Sequence, residues 1–205
     1  MKDPMTDAEL VARTLAGSPD AFRVLVERYQ RPMLSLIVRM VGDPSLAEDL
    51  AQEAFVKAYR KLHTFQPQRK LSSWLFKIAH NTTIDHLRRA KPELTPLEAT
   101  SAEGDESWEF LQVAEEEGPE YRAVHRQLVG GLEAALGRLP PRYREILILR
   151  FQQSLAYHEI AEVTGLAMGT VKVQLHRARK QLAAALAEAG FAPPGKWSGK
   201  SGGRA

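Results

Sequence analysis

The stretch GLAMGTVKVQLHRARKQL, Gly165 to Leu182, combines a strict apolar stripe with a dense run of cations. At about 100° per residue, Val171, Leu175, Ala178 and Leu182 fall on one narrow helical face, and Lys172, His176, Arg177, Arg179 and Lys180 fall opposite. One face packs and the other meets an anion. Between Lys172 and Lys180 there is no carboxylate, whereas an ordinary solvated helix face mixes signs.

The preceding residues extend this helix into a helix-turn-helix. In YHEIAEVTGLAMGTVKVQLHRA, counted from Tyr157, Ala161 is fifth, Gly165 ninth and Val171 fifteenth. A small residue is needed where the two helices touch, glycine can take the positive φ of the turn, and a branched apolar residue anchors the second helix from below. The spacing predicts a major-groove reader. Arg177, Arg179 and Lys180 suit phosphates, while Lys172, Val173 and His176 lie where base edges come within reach. Val173 is an apolar residue on the wet face, suited to a thymine methyl group or incidental there. Thr170 and Gln174 complete the candidate set.

Charge divides the remaining chain. Of 205 residues, 28 are Lys or Arg and 25 Asp or Glu. Ten of those acids lie between Pro92 and Tyr121, where there is no Lys or Arg, so two basic bodies flank an acidic strap. Both bodies are expected to seek polyanions. The strap, rich in Pro, Glu, Ser and Thr, keeps one apolar cluster, Trp108, Phe110, Leu111 and Val113, and reads as a linker.

The first body is predicted to be helical. Ser18-Pro19-Asp20 reads as a helix start with Ser18 as N-cap. Phe22, Leu25, Val26, Tyr29, Met33, Leu36, Ile37 and Met40 then recur at helical spacing, with a bend expected at Pro32. Gly42-Asp43-Pro44 ends that helix, and Ser45 to Glu48 has the pattern of a capping box. A third helix is predicted from Leu71 to about Arg89 after the polar loop FQPQRK, Phe65 to Lys70. Helical patterns resume at Arg126–Leu136, Pro141–Phe151 and Leu155–Val163, and no segment alternates like a strand. The fold class is all-α: two small helical domains, 1–91 and 126–189, joined by a flexible acidic linker, 92–125, and followed by a flexible basic tail, 190–205.

Several function classes are set aside. There is no cysteine, which excludes disulfides, thiolate metal sites and thiol redox sensing within this chain. MKDPMTDAEL lacks the apolar core of a signal peptide, and no apolar run approaches the ~18 residues of a membrane span. A cytoplasmic protein without membrane insertion is expected. His80, Asp85 and His86 lie close in sequence, but the two histidines are about 600° apart on one helix and point to opposite sides. With no HExxH, phosphate-binding glycine loop or paired carboxylates, neither an enzyme nor a metal or other cofactor is expected.

AEDLAQEAFVKAYRKL, Ala47 to Leu62, followed by WLFKIAHNTTIDHLRR, Trp74 to Arg89, closely resembles the core-binding and promoter-melting regions of bacterial sigma factors. GTVKVQLHRARKQL resembles their C-terminal promoter-reading helix. The short N-terminus and the mere linker between domains resemble the extracytoplasmic-function group of the sigma-70 family. The resemblance implies binding to RNA polymerase core, opening of the minus-10 promoter element and reading of the minus-35 element, rather than a stand-alone regulator that acts without polymerase.

Residue by residue, the resemblance assigns three surfaces. Asp49, Gln52, Glu53, Val56 and Arg60 share one helical face, opposite Ala51, Ala54 and Ala58, and Asp49, Gln52 and Glu53 match positions that grip the β′ clamp helices of polymerase. Asn81 matches the border of the pocket for the flipped minus-10 base. Gln66, Gln68, Arg69 and Lys70 fall in the specificity loop, and Lys77, Arg88 and Arg89 suit phosphates. Trp74 is spaced for core packing, and Asp85 for pairing with Arg88 and Arg89. The second domain is expected to touch the β flap, an anti-sigma factor to cover the DNA faces, and the linker to thread the channel that later carries RNA. Val173-Gln174 stands where the family commonly has Ser-Arg, which costs a hydroxyl and a cation and points to a different minus-35 preference.

Overall fold

A computed structural model describes residues 5–90 and 119–191. The acidic strap with its Trp108–Val113 cluster, and the tail beyond Phe191, lie outside the described residues.

The first half is built from four helices: α1 (Asp7–Leu15), α2 (Pro19–Val41), α3 (Pro44–Lys61) and α4 (Leu71–Ala90). α1 has no counterpart in the sequence expectations. It opens with a true capping box, in which Thr6 Oγ1 accepts from the Glu9 amide at 3.3 Å and Glu9 accepts from the Thr6 amide at 2.8 Å. Asp7 then ties it to α2 by accepting from Arg28 and from the Tyr29 hydroxyl. α2 runs unbroken through Pro32 and stops at Gly42, whose φ of 77° only glycine adopts cheaply. Ser18 occupies the N-cap position, but its side chain makes no cap hydrogen bond.

The pattern at Ser45–Glu48 is corrected. α3 starts earlier, at Pro44, and Asp43 caps it by accepting from the Leu46 amide at 3.1 Å. Proline at the first helical position needs no partner for a missing N–H, so Asp-Pro takes precedence over the serine.

The second half comprises α5 (Pro119–Gly137), α6 (Pro141–Leu147), α7 (Tyr157–Thr164) and α8 (Met168–Glu188). α5 begins seven residues before the apolar pattern at Arg126, inside the stretch read as linker. α6 passes into a wider, π-type turn, Ile148–Gln152, instead of running to Phe151 as one α-helix. Among the described residues there is no strand.

The two halves do not merely share a chain. Leu10, Leu25, Met33, Ile37, Leu50 and Leu75 form the first core with the alanines of α3. Ile146, Leu149, Leu155, Ile160, Val171 and Leu175 form the second, together with Leu36, Met40 and Phe76 from α2 and α4. Leu36 and Ile37 are consecutive and so about 100° apart on the helix, and each lines a different core. Leu75 and Phe76 repeat the arrangement on α4. α2 and α4 are therefore apolar on two faces and lie between the halves. A fully buried side chain of this size stabilises by about 1.5–3 kcal/mol, so these shared positions bind the halves firmly.

Candidate polymerase and nucleic-acid interfaces

On α3, Ala51, Ala54 and Ala58 are buried, which turns Asp49, Gln52, Glu53, Val56 and Arg60 to solvent. Small side chains let α3 approach its neighbours closely, and the outer face keeps an apolar residue, Val56, 50% exposed among acids and an amide. Lys57 donates to Glu53 at 2.7 Å, and this contact holds the Glu53 carboxyl below its ordinary range. Tyr59 is also exposed and meets Phe22 edge-on at 4.9 Å between centroids.

The loop before α4 is braced by Phe65, whose ring stands at 63° to that of Trp74 with centroids 5.8 Å apart. Both aromatics pack against the first core, as the spacing of Trp74 predicts. The Arg69 amide donates to the Gln66 carbonyl at 2.9 Å, so Gln66, Gln68, Arg69 and Lys70 form a tight, exposed turn. Along α4, Lys77, Asn81 and Arg88 recur within about 40° of one another and are exposed, with Arg89 one residue further. Arg88 lies 3.9 Å from Asp85, and Arg89 donates to the Asp85 carbonyl at 3.1 Å.

The helix-turn-helix forms as the spacing predicts. Gly165 takes φ 71°, α8 follows after two residues, and Val171, Leu175 and Ala178 are buried beneath it. Thr170, Lys172, Val173, His176, Arg177 and Lys180 are exposed on the opposite side. Two candidates differ. Gln174 is half-buried, with Oε1 turned inward and no hydrogen-bond partner. Arg179 is half-buried, its guanidinium 5.9 Å from the Phe151 ring centroid. Both sit about 110° from the outward centre of the helix, which is far enough to meet neighbouring elements.

Sequence reasoning missed a fourth surface, the seam between the halves. Lys70 Nζ donates to Glu159 at 3.1 Å, Ser73 Oγ to the same carboxylate at 3.2 Å, and Arg69 to Glu162 at 2.9 Å. His80 Nδ1 meets Glu145 at 2.5 Å, and Ser35 donates to Gln152 at 3.2 Å. Burial works against the Glu159 charge, but the Ala156 amide, Lys70 and Ser73 outweigh it and hold this carboxyl below its ordinary value. Burial likewise pushes the His80 imidazolium down, and Glu145 more than reverses this, leaving it raised. A cavity of about 280 Å³ opens along the seam, lined by His80, Asn81 and Arg88 on one side and Arg142, Glu145 and Gln174 on the other. No group of three His, Asp or Glu among the described residues could hold a metal ion, and no described helix is long and apolar enough to cross a membrane.

Residues 25–93 match the family described as Sigma-70 region 2, and residues 130–182 match Sigma-70, region 4. The ECF RNA polymerase sigma factor SigW of Bacillus subtilis is 36% identical over 167 residues, which are 81% of this chain and 89% of that protein. The chain belongs to the extracytoplasmic-function sigma factors of the sigma-70 family. The RNA polymerase sigma-H factor of Pseudomonas aeruginosa is 37% identical over 185 residues, 88% of this sigma factor and 93% of that one. The solved structure of CnrH in complex with the cytosolic domain of CnrY superposes with a TM-score of 0.59 at 25% identity, covering 89% of this chain and 97% of that one.

As a sigma factor, the protein associates with RNA polymerase and directs initiation at promoters. Region 2 spans most of α2, α3 and α4, and region 4 spans the helix-turn-helix with the elements beneath it. The sigma factor carries one further apolar feature, a groove of about 480 Å³ lined by Leu132, Leu136, Leu147, Ile148, Leu182 and Leu186 of the second half and edged by Arg39 of α2. Phe151 stands beside it, 56% exposed.

Proposed function

We propose that the sigma factor works through three faces, each turned toward a different partner. The α3 face, Asp49, Gln52, Glu53 and Val56, docks on the β′ clamp helices of core polymerase. The loop Gln66, Gln68, Arg69 and Lys70, with Lys77, Asn81, Arg88 and Arg89 on α4, captures the opened minus-10 strand. Opening a duplex leaves an unpaired base that needs hydrogen-bonding groups, and a strand whose phosphates need cations. Asn81 and its basic neighbours supply both.

The outward face of α8 reads the minus-35 duplex. Its exposed residues Thr170, Lys172, Val173, His176, Arg177 and Lys180 include no carboxylate, and this single-sign surface on the second helix of a helix-turn-helix carries the reading. Gln174 and Arg179, the remaining candidates, flank it and come into play once their inward contacts are released. The apolar groove between α5, α8 and the π-type turn suits a partner helix, and we assign it to the β flap. An anti-sigma factor that covers these faces would hold the protein inactive in the cytoplasm.

Run-off transcription from a promoter library with purified core polymerase tests the reading. Core-dependent, sequence-selective transcripts that require both promoter elements are expected. Duplex binding without core, and no transcripts with it, would overturn the assignment.

A further inference from the structure

Carboxylates are scarce in the second half of the chain. Apart from Glu120 at the start of α5, it contains five: Glu133, Glu145, Glu159, Glu162 and Glu188. Glu188 pairs with Arg138 in the same half, at 3.4 Å. The other four act on the first half: Glu145 on His80, Glu159 on Lys70, Glu162 on Arg69, and the charge of Glu133 on Arg39. A body whose business is a polyanion thus directs most of its negative charge at one internal surface.

Two of the groups so engaged, Arg69 and Lys70, belong to the minus-10 loop. An ionised carboxylate oxygen about 3 Å from a guanidinium or ammonium makes the contact that a phosphate oxygen would make. Glu159 is only 9% exposed at its side chain and is fixed by three donors, so it is a positioned anion instead of a wandering surface charge. We propose that the carboxylates of α7 stand in for the phosphates of the minus-10 strand, so that the closed chain masks its own strand-capture surface until polymerase separates the halves. The proposal rests on the assignment of Arg69 and Lys70 to the minus-10 strand.

Geometry requires such a separation. Minus-10 and minus-35 are by name ~25 base pairs apart, roughly 85 Å at ~3.4 Å per base pair, while region 2 and region 4 here touch through hydrogen bonds and a common core. Between Ala90 and Pro119 the chain has 28 residues, enough to span roughly 90 Å when extended. The closed form leaves Asp49, Gln52, Glu53 and Val56 exposed, so polymerase can take hold before the seam opens.

The test uses the full chain. Because it contains no cysteine, the pair Gln30→Cys on α2 and Gln181→Cys on α8, both exposed sites, accepts one dye on each half. Inter-dye distance and the affinity for a fluorescent single-stranded oligonucleotide are measured without polymerase, for the parent and for Glu159→Gln/Glu162→Gln. The double variant should lengthen the distance and bind the strand about five-fold more tightly. The charge swap Arg69→Glu/Glu162→Arg, which re-forms the pair with its signs reversed, should keep the short distance of the parent. If Glu159→Gln weakens the start of α7, Glu162→Gln alone, at an exposed site, carries the comparison. An unchanged distance, or an opened chain with no gain in strand binding, overturns the proposal. Transcription with core polymerase is run in parallel: transcripts from the parent keep the functional assignment whatever the dyes report, and their absence would break that assignment itself.

Discussion

His80 on α4 and Glu145 on α6 face each other at 2.5 Å across the seam, both almost fully buried, and they form a buried polar contact between the halves. An ion pair in this setting stabilises only while both members are charged. Asp85 and Arg88 on α4 and Arg142 on α6 are the further charges near it.

The closed form should therefore depend on pH with a defined sign. His80 has a raised value in the folded chain, so its contribution is complete below its ordinary value of 6.5 and is lost as pH rises through the raised one. Glu159 has a lowered value, so its contribution is complete above 4.5 and is lost as pH falls through the lowered one. The inter-dye distance should be shortest between these limits and lengthen on the alkaline side, and His80→Gln should flatten that side.

Phe76→Ala tests the shared core. The ring is fully buried, and its truncation should cost about 3–5 kcal/mol in urea unfolding. Although Phe76 lies on α4, signals from both halves should shift together, because the cavity opens in the second core.

Val56→Glu separates docking from folding. An exposed substitution should leave stability within about 0.5 kcal/mol. Affinity for core polymerase should fall about ten-fold or more, since an apolar contact amid acids becomes a further repulsive charge. Titration with labelled core, beside thermal unfolding, reads both quantities.

Arg177→Ala should weaken holoenzyme binding to minus-35 duplexes about equally across sequences and lower the salt slope by about one counterion. Val173→Ala should instead change the order of preferred sequences. Binding to a duplex library at two salt concentrations checks both.

Neighbouring glycines in α5 should respond differently. A Cβ at Gly130 meets nothing within 4 Å, so Gly130→Ala should stabilise by about 0.5–1 kcal/mol through helix propensity. A Cβ at Gly131 would lie 2.1 Å from the Phe191 ring, which must swing away, so Gly131→Ala should melt below Gly130→Ala in thermal unfolding.

Local signals made the helices legible, and long-range complementarity hid the seam. Val171, Leu175, Ala178 and Gly165 do what their spacing predicts, because a helix stripe and a positive-φ turn are fixed within a few residues. α1 was readable too: Thr6 to Glu9 is a capping box that an apolar run follows. Glu145, Glu159 and Glu162 had no such local mark, since their partners lie 65 to 93 residues away. Two clues did exist. The apolar positions of α2 spread too widely for one stripe, with Leu36 beside Ile37, and the few acids of the second half needed a reason to be there. The inward turn of Gln174 and Arg179 follows from contacts that only the packed chain creates.

The common core also bears on modularity. Region 2 and region 4 are separate units by family, yet Leu36, Met40 and Phe76 are furniture of the neighbouring unit. A chimera that joined this region 2 to the region 4 of a relative, with the junction in the linker and every promoter-facing residue kept, would give those three side chains a foreign socket. Its resting shape and readiness to open would be new properties, inherited from neither parent.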